Sequence, residues 1–495
     1  MSEPQVVVVG AGPTGVTAAI LLGQRGVRTL VLDRWPDVFP QPRAVHLDDE
    51  VYRLLATLGV AEEFAAVSRP GAGLRLMGPD HRTLAQFDRL VQRTSNGFPQ
   101  ATMFDQPELE RLLRRRLAEL PAVRLIGGAQ VHKVVAGAQP IVRYRDEAGV
   151  EHELRPEVVL GCDGANSLVR SAIGASMRDL GFPARRWLVV DVATDRDLGQ
   201  WEGVHQVCDS TRAGTYMRIG ERRYRWEFRL HDDETAVDFA DVSRLEPLIA
   251  PWVGSADGLE VLRCAEYEFR AQIADRWRNG RVLLLGDAAH LTPPFIGQGM
   301  GAGLRDAHNL AWKIADVLEG RLPEQVLDSY QQERAPHARA MIRLASMVGV
   351  AMTGGGRVGD LLRGVVVPVL PHLPGLRSRL LDSTTPRLSR SALVARRRGD
   401  RLAGSLCPNV TLLDGTRLDD APGHRTLVRR GAPPPHGCPV VDVAGHRELV
   451  AWMGRAAWVR LRPDGVVAES GPPGAHGTLV ALRPRAADAV LPAGG

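Results

Sequence analysis

The chain has 495 residues, enough for two or three domains around a large buried core. Hydrophobic residues make up 44% and charged residues 24%, an ordinary soluble composition. The 62 cations face 57 anions along the whole length, so the net charge of +5 is a mixed solvated surface and excludes a concentrated nucleic-acid patch. The five cysteines (Cys162, Cys208, Cys264, Cys407, Cys438) never occur as CxxC, which argues against a zinc site and a disulfide framework and for reduced thiols in the cytoplasm. The first strand begins within five residues of the start, so no secretory signal is expected. The most apolar later stretch, Leu361 to Leu373, is broken by Arg363, Pro368 and Pro371 and is too short to span a bilayer.

Val6 to Val9 is a continuous β-branched run, the pattern of a parallel strand buried on both faces. A glycine turn, a helix over Gly15 to Arg25 and a strand over Thr29 to Asp33 complete a βαβ unit. Asp105 to Leu120 reads as a helix with Asp105 as its cap, Pro107 in the first turn and Glu108 at the capping-box position. Leu109, Leu112, Leu113, Leu117 and Leu120 form its buried stripe. From Met177 to Tyr267 short alternating runs predict an antiparallel sheet forming a separate lobe. Helical periodicity returns over Met300 to Leu318 and Asp328 to Met352. Proline-rich punctuation at 368–374 and 433–435 brackets a tail of short strands, with a hairpin over Trp458 to Ala468 turning on Asp464-Gly465.

Three glycine-bearing segments carry the chemistry. In the first, Gly10, Gly12 and Gly15 follow a strand and open a helix, with Pro13 and Thr14 inside the turn. Gly10 allows the tight turn, Gly12 leaves room for a pyrophosphate, Gly15 lets helix and sheet approach, and the helix start offers free N–H groups. Asp33, followed by Arg34, ends the second strand where ribose hydroxyls would lie. In the second, Asp163-Gly164 makes a turn after Val158 to Leu160, with Asn166 or Ser167 placed to cap a helix and Arg170 within reach of a phosphate. In the third, Val282 to Leu285 delivers Gly286-Asp287, an acid at a strand's C-terminal end and suited to a polyol. Gly297-Gln298-Gly299-Met300-Gly301 then opens a helix whose amides suit an anionic edge. A nicotinamide-only dehydrogenase has no use for the second and third segments; together with the first they describe one flavin dinucleotide.

With QPRAVHLDDE (Gln41 to Glu50), FDQPELE (Phe104 to Glu110), GDAAHLTPPFIGQGMGAGLRDAHNLAWK and SYQQERAPHA (Ser329 to Ala338), these segments resemble class A FAD-dependent aromatic hydroxylases, the p-hydroxybenzoate hydroxylase superfamily. The 3-(3-hydroxyphenyl)propionate hydroxylase branch is the most similar. The resemblance implies an α/β fold: a Rossmann-like FAD-binding domain at 1–175 and 268–345, with 71–100 lent to a substrate lobe at 176–267, a helical connector at 346–400 and a thioredoxin-like C-terminal domain at 401–495. It implies that Arg43 lies beside the flavin and controls its movement, that Gln106 contacts the cofactor chain, and that Asp163 and Gly164 serve FAD and NADPH together. It also implies that the Pro294 carbonyl lies near the reacting phenol, and that NADPH or NADH reduces FAD, which then uses dioxygen through a C4a-hydroperoxyflavin. The tail lacks CxxC, so packing or subunit contact in a homodimer is expected of it rather than redox chemistry.

A phenolate attacks faster than a phenol, so a base is wanted, and His46 and His205 are candidates. Gln298 marks the loop that would stabilise charge on the flavin. His205, Tyr216, Arg218, Tyr224 and Trp226 are the expected substrate contacts, with alternation turning only about half of that region toward the pocket. Cys208-Asp209-Ser210-Thr211-Arg212-Ala213 departs from the Cys-Asp-Pro stretch of the similar branch, which opens the choice of substrate. Two alternatives stand beside phenol hydroxylation: a tailoring oxygenase for a polyketide in antibiotic biosynthesis, by hydroxylation, epoxidation or Baeyer–Villiger insertion, and a non-catalytic flavin-binding module.

Overall fold

The computed structural model describes residues 3–41, 43–89, 94–183, 185–372, 385–413, 415–420, 423–429, 439–473 and 479. Its centre is a six-stranded sheet in the order Arg278–Asn279, Val282–Leu284, Val158–Gly161, Val6–Val9, Thr29–Leu32, Val123–Ile126. Val6–Val9 lies between two parallel neighbours, Val6 opposite both Val158 and Thr29, and its four valines are 0–5% exposed. A strand covered on both faces needs no polar alternation, which is why the run reads as continuous valine. Helices Pro13–Gly23 and Gly299–Leu318 pack one face of this sheet, so the three glycine segments emerge at its C-terminal edge.

The second layer is a seven-stranded sheet in the order Glu260–Phe269, Arg185–Ala193, Arg223–Arg229, Gly214–Arg218, Val204–Val207, Gly73–Met77, Thr83–Asp88. Within residues 185–269 every strand pair of this sheet is antiparallel, as expected; the one parallel pair joins Val204–Val207 to Gly73–Met77. The Gly73–Asp88 hairpin arrives from a distant stretch of chain and docks on the lobe's edge, so no tight turn dictates its direction. Tyr216, Tyr224, Trp226 and Phe228 form the lobe's own core with Leu245 and Ile249 of helix Val242–Val253.

Helix Gln106–Ala118 buries the expected leucine stripe, yet Asp105 makes no side-chain cap. Its carboxylate is buried and faces Arg223 at 3.3 Å, so an ion pair across to the sheet replaces the cap. Helices Gly299–Leu318 and Asp328–Thr353 occupy the predicted spans to within a residue or so. Beyond them come helix Gly356–Val366 and a C-terminal unit. The unit's sheet runs Val440–Asp442, Arg425–Val428, Trp458–Leu461, Val467–Gly471 and packs against helix Arg447–Met453. Trp458–Leu461 and Val467–Gly471 form the anticipated hairpin, with Gly465 at φ +71°. The prolines at 433–435 and Cys438 lie outside the described residues. No helix among the described residues is long and apolar enough to cross a membrane.

Candidate active site

Each glycine of the first turn has a different neighbour. A Cβ on Gly10 (φ +101°) would sit 2.4 Å from the Cys162 carbonyl oxygen, and one on Gly15 would sit 2.0 Å from that of Gly10. These two glycines therefore hold strand, turn and helix together. A Cβ on Gly12 would meet nothing within 4 Å, so the helix start beneath it opens onto a cradle that a side chain would fill. No side chain caps this helix, and its first amides stay available. Asp33 stands at the end of the next strand, accepting N–H bonds from Ala11 (2.5 Å) and Trp35 (2.8 Å). Beside it a cavity of about 280 Å³ is lined by Arg34, Trp35, Gly128, Gln130, Arg145 and Asp146.

The second turn is more self-contained than its residue types suggest. Asp163 accepts from Ser167 Oγ (2.5 Å) and from the Val169 N–H (3.0 Å), closing the start of helix Leu168–Ala172. Ser167 caps that helix through the Arg170 N–H. Gly164 takes φ +81°, as the turn requires. Arg170 donates to the carbonyls of Ala165 (2.7 Å) and Ala288 (3.2 Å), so it ties this turn to the third segment.

At the third segment Thr14 wedges against Gly286 and Gly303, where added Cβ atoms would lie 2.8 and 2.3 Å from its Oγ1. Buried Asp306 fixes the turn, accepting from the Gly286 N–H (3.1 Å), His290 Nε2 (2.7 Å) and Arg334 Nε (2.8 Å). Asp287 is left solvent-accessible on the cleft wall. The surrounding protein desolvates its carboxyl and raises its pKa, while His290 and Arg43 pull it back. The Arg43 guanidinium lies over the Phe39 ring, 5.7 Å from its centroid.

The Arg43 segment is clamped by its backbone. Gln106 Oε1 accepts from the N–H groups of Arg43 (3.0 Å) and Ala44 (2.6 Å), and Gln106 Nε2 donates to Glu110 (2.7 Å). From the sheet, Arg225 Nη1 donates to the Arg43 carbonyl at 3.0 Å while its other nitrogens hold Asp191 at 2.7 and 3.0 Å. Gln106 thus positions Arg43, and its side chain is committed to protein rather than to a cofactor chain.

Pro294–Ile296 forms a single 3₁₀ turn, and Gly297 (φ +62°) brings the loop within 2.6 Å of His46 Nδ1, measured from an added Cβ. His46 Nε2 meets Arg89 Nη1 at 2.9 Å. Burial first, then Arg89, lowers the His46 pKa to about 4, so it is neutral at physiological pH and a weak base. Gln298 bonds Asp48 (2.8 Å) and Arg305 (3.0 Å), and Arg305 bonds Asp48 in turn. The Gln298 side chain therefore anchors the loop, leaving only its backbone for a ligand.

The five expected substrate contacts need correction. His205, Tyr216 and Trp226 are register partners on one sheet face, with Tyr224 and Arg218 at the same parity. Tyr216 stacks on Trp226 at 4.6 Å and lies 5.7 Å from Trp252 of the covering helix, while Arg218 pairs with Glu202. That face is the lobe's core, because its aromatic area is what the helix buries. The opposite face carries Gln206, Thr215, Met217, Arg225 and Glu227 and turns toward the Arg43 segment. There Met217 packs with Met103 and Val45, and Phe295 of the loop meets Trp187 at 5.8 Å. Sequence reasoning missed Asp191, Arg263, Trp187 and Phe295, and named Glu227 only within the stretch 224–228; a charged residue inside the apolar run WLVVDV was the available signal.

A glycine turn that opens onto an unfilled cradle, with acids at the ends of two strands, is the frame of a dinucleotide-binding fold. Residues 3–345 match the family model for the FAD binding domain. The chain is 35% identical over 431 residues to the 3-(3-hydroxy-phenyl)propionate/3-hydroxycinnamic acid hydroxylase of Burkholderia cenocepacia, covering 85% of this chain and 78% of that one. It is 38% identical over 352 residues to a probable NADH-specific resorcinol 4-hydroxylase of Rhodococcus jostii, covering 70% and 65%. The fold is also that of aklavinone-11 hydroxylase solved with FAD and aklavinone, at a TM-score of 0.78 and 24% identity over 96% of this chain and 97% of that one. The chain belongs to the FAD-dependent aromatic hydroxylases and is a flavoprotein monooxygenase.

Proposed function

We propose that this enzyme hydroxylates a neutral phenolic ring held between the inner face of the seven-stranded sheet and the Pro294–Gln298 loop. Gly12 and the first amides of helix Pro13–Gly23 would hold the FAD pyrophosphate, with Thr14 bracing Gly286 below it. Asp33 and the Arg34–Trp35 cavity would take the adenosine, Asp287 the ribityl hydroxyls, and the amides of Gly297, Gly299 and Met300 the pyrimidine edge. When bound, FAD accepts a hydride from a reduced nicotinamide, activates dioxygen and delivers one oxygen atom to the ring.

The chain's own part is positional and electrostatic. Gln106 and Arg225 hold the Arg43 backbone from two sides, which fixes the point from which its exposed side chain starts. Phe295 and Trp187 offer an aromatic wall that excludes water from the ring. The open cradle at Gly12, beside a sheet face pinned to the Arg43 segment by Arg225, is the observation that carries this reading. On the sheet face Arg225 and Arg263 are offset by Asp191 and Glu227, so these four charges sum to zero. That balance favours a neutral phenol or polyketide over a substrate anchored by its carboxylate.

The test is oxidation of NADH and of NADPH by the FAD-loaded enzyme with resorcinol and with 3-(3-hydroxyphenyl)propionate, products being weighed by mass spectrometry. Faster consumption with resorcinol and a product heavier by one oxygen supports the reading. Preference for the propionate overturns the neutral-ring assignment, and no stimulation by any phenol overturns the hydroxylase assignment.

A further inference from the structure

The inner sheet face holds one carboxylate, paired at 3.8 Å with Arg225, that accepts no hydrogen bond from the described residues. Glu227 lies on strand Arg223–Arg229, in register with Val189 on one side and Thr215 on the other. Its side chain is only 14% exposed, yet no hydrogen bond reaches its carboxylate from the described residues. The nearest cation, Arg225 Nη1, stands 3.8 Å from Oε1, beyond hydrogen-bond range. Buried carboxylates are ordinarily saturated with donors, as Asp191 two residues along the same face is. The Arg225 nitrogen near Glu227 is the one that donates to the Arg43 carbonyl, so Glu227 stands next to the segment that borders the proposed flavin site.

The groups around Glu227 bear on its chemistry. Arg225 approaches from its own strand, Asp191 from Arg185–Ala193 and Arg263 from Glu260–Phe269. Strands Gly214–Arg218 and Val204–Val207 present Thr215 and Gln206, which bond one another at 2.9 Å. The Pro294–Ile296 turn carries no titratable group. Desolvation raises the Glu227 pKa most; Arg225 lowers it, Asp191 raises it and Arg263 lowers it, with a net rise. Glu227 is thereby a stronger base than an ordinary carboxylate, beside two guanidinium groups suited to an anion.

Resting on the hydroxylase reading above, we propose that Glu227 is the catalytic base that meets the substrate's phenolic hydroxyl. The phenol O–H bond breaks, its electron pair stays on the phenol oxygen, and the proton forms an O–H bond on the Glu227 carboxylate. The negative charge moves from Glu227 to the phenolate, and Arg225 and Arg263 remain to stabilise it. With FAD bound, the electron-rich ring carbon would bond to the oxygen the cofactor supplies, and that carbon's C–H bond would break as the ring rearomatises, its proton leaving to water. Return of the proton from Glu227 to the product oxygen resets the carboxylate.

The experiment compares wild type with Glu227→Gln and Glu227→Asp, all loaded with FAD, using whichever of resorcinol and 3-(3-hydroxyphenyl)propionate the wild type turns over. Glu227→Gln should lose about a hundredfold in kcat at pH 7 and recover as the pH approaches a phenol's own pKa near 10. Glu227→Asp should retain an intermediate rate. Independently of turnover, ultraviolet difference spectra of the ligand bound to oxidised holoenzyme should show phenolate at lower pH in wild type than in Glu227→Gln. An equal loss at every pH, or a phenolate band at the same pH in both proteins, overturns the role of Glu227 while leaving the hydroxylase reading intact. A wild type that turns over neither phenol overturns both.

Discussion

Replacing Glu333 with glutamine should loosen the C-terminal unit from the flavin-binding core. Glu333 Oε2 is shared by Lys313 Nζ (2.9 Å), Arg462 Nη1 (2.9 Å) and Asn309 Nδ2 (2.8 Å), while Oε1 accepts from Ser391 Oγ at 2.6 Å. The Lys313, Arg462 and Glu333 side chains are 0% exposed, and Asp464 on Arg462 brings the cluster to neutrality. At an effective dielectric of 20 each 2.9 Å pair is worth about 6 kcal/mol, so losing the charge removes about 11 kcal/mol of attraction. Most of this is offset because a carboxylate no longer has to be desolvated and the amide keeps part of the hydrogen bonding. The net expectation is about 3–5 kcal/mol, the usual result of stranding a buried charge. Urea denaturation of the FAD-loaded protein measures it, and limited proteolysis shows whether the C-terminal unit opens first. A second substitution, Lys313→Met, should restore at least half of the loss by removing the stranded cation. A loss below about 1 kcal/mol, or strictly additive effects in the double variant, would refute the network as a clamp.

The two helix-opening glycines should separate fold from cofactor: Gly12→Val meets only open space and should leave the apoprotein within about 0.5 kcal/mol of wild type while abolishing FAD retention. Gly15→Val collides with the Gly10 carbonyl and should destabilise the apoprotein by more than about 2 kcal/mol; equal effects of the two in urea melts would count against the cradle. Asp287→Ala should weaken FAD binding about ten- to a hundredfold by fluorescence titration, and unaltered affinity would remove Asp287 from the site. His205 is held neutral, its pKa lowered to about 4 by burial and then by Arg75. The unfolded chain binds this proton near pH 6.5 and the folded chain does not, so stability is full above 6.5 and falls by about 3 kcal/mol toward pH 4. His205→Phe should flatten that part of the pH–stability curve, and an unchanged slope would contradict it.

Much of the fold was legible because its signals are local. The valine run, the glycine spacing and the leucine stripe of Gln106–Ala118 each state their environment within a dozen residues. The edges of the site were not legible for two physical reasons. A strand's alternation separates two faces without saying which one meets the neighbouring domain, and aromatic residues draw the eye to a ligand when the lobe's own core needs them. Tyr216 and Trp226 thus draw a substrate assignment, while Glu227, one position away in parity, lies on the face that meets the Arg43 segment. Arg170, Gln106 and Gln298 have residue types suited to a cofactor, and hydrogen bonds from distant stretches of chain hold their side chains to protein. Such bonds, Arg170 to Ala288 across 118 positions among them, leave no trace in spacing.

The chain contains only two lysines, Lys133 and Lys313. Lys133 is exposed on an edge strand, whereas Lys313 is sealed inside the Glu333 cluster with its pKa lowered to about 8 by burial. Amine-directed reagents should therefore modify one lysine side chain and spare the other, giving one side-chain attachment point besides the α-amino group. Slow acylation of Lys313 would then serve as a clock for the opening of the core, read by peptide mapping without any change to the sequence.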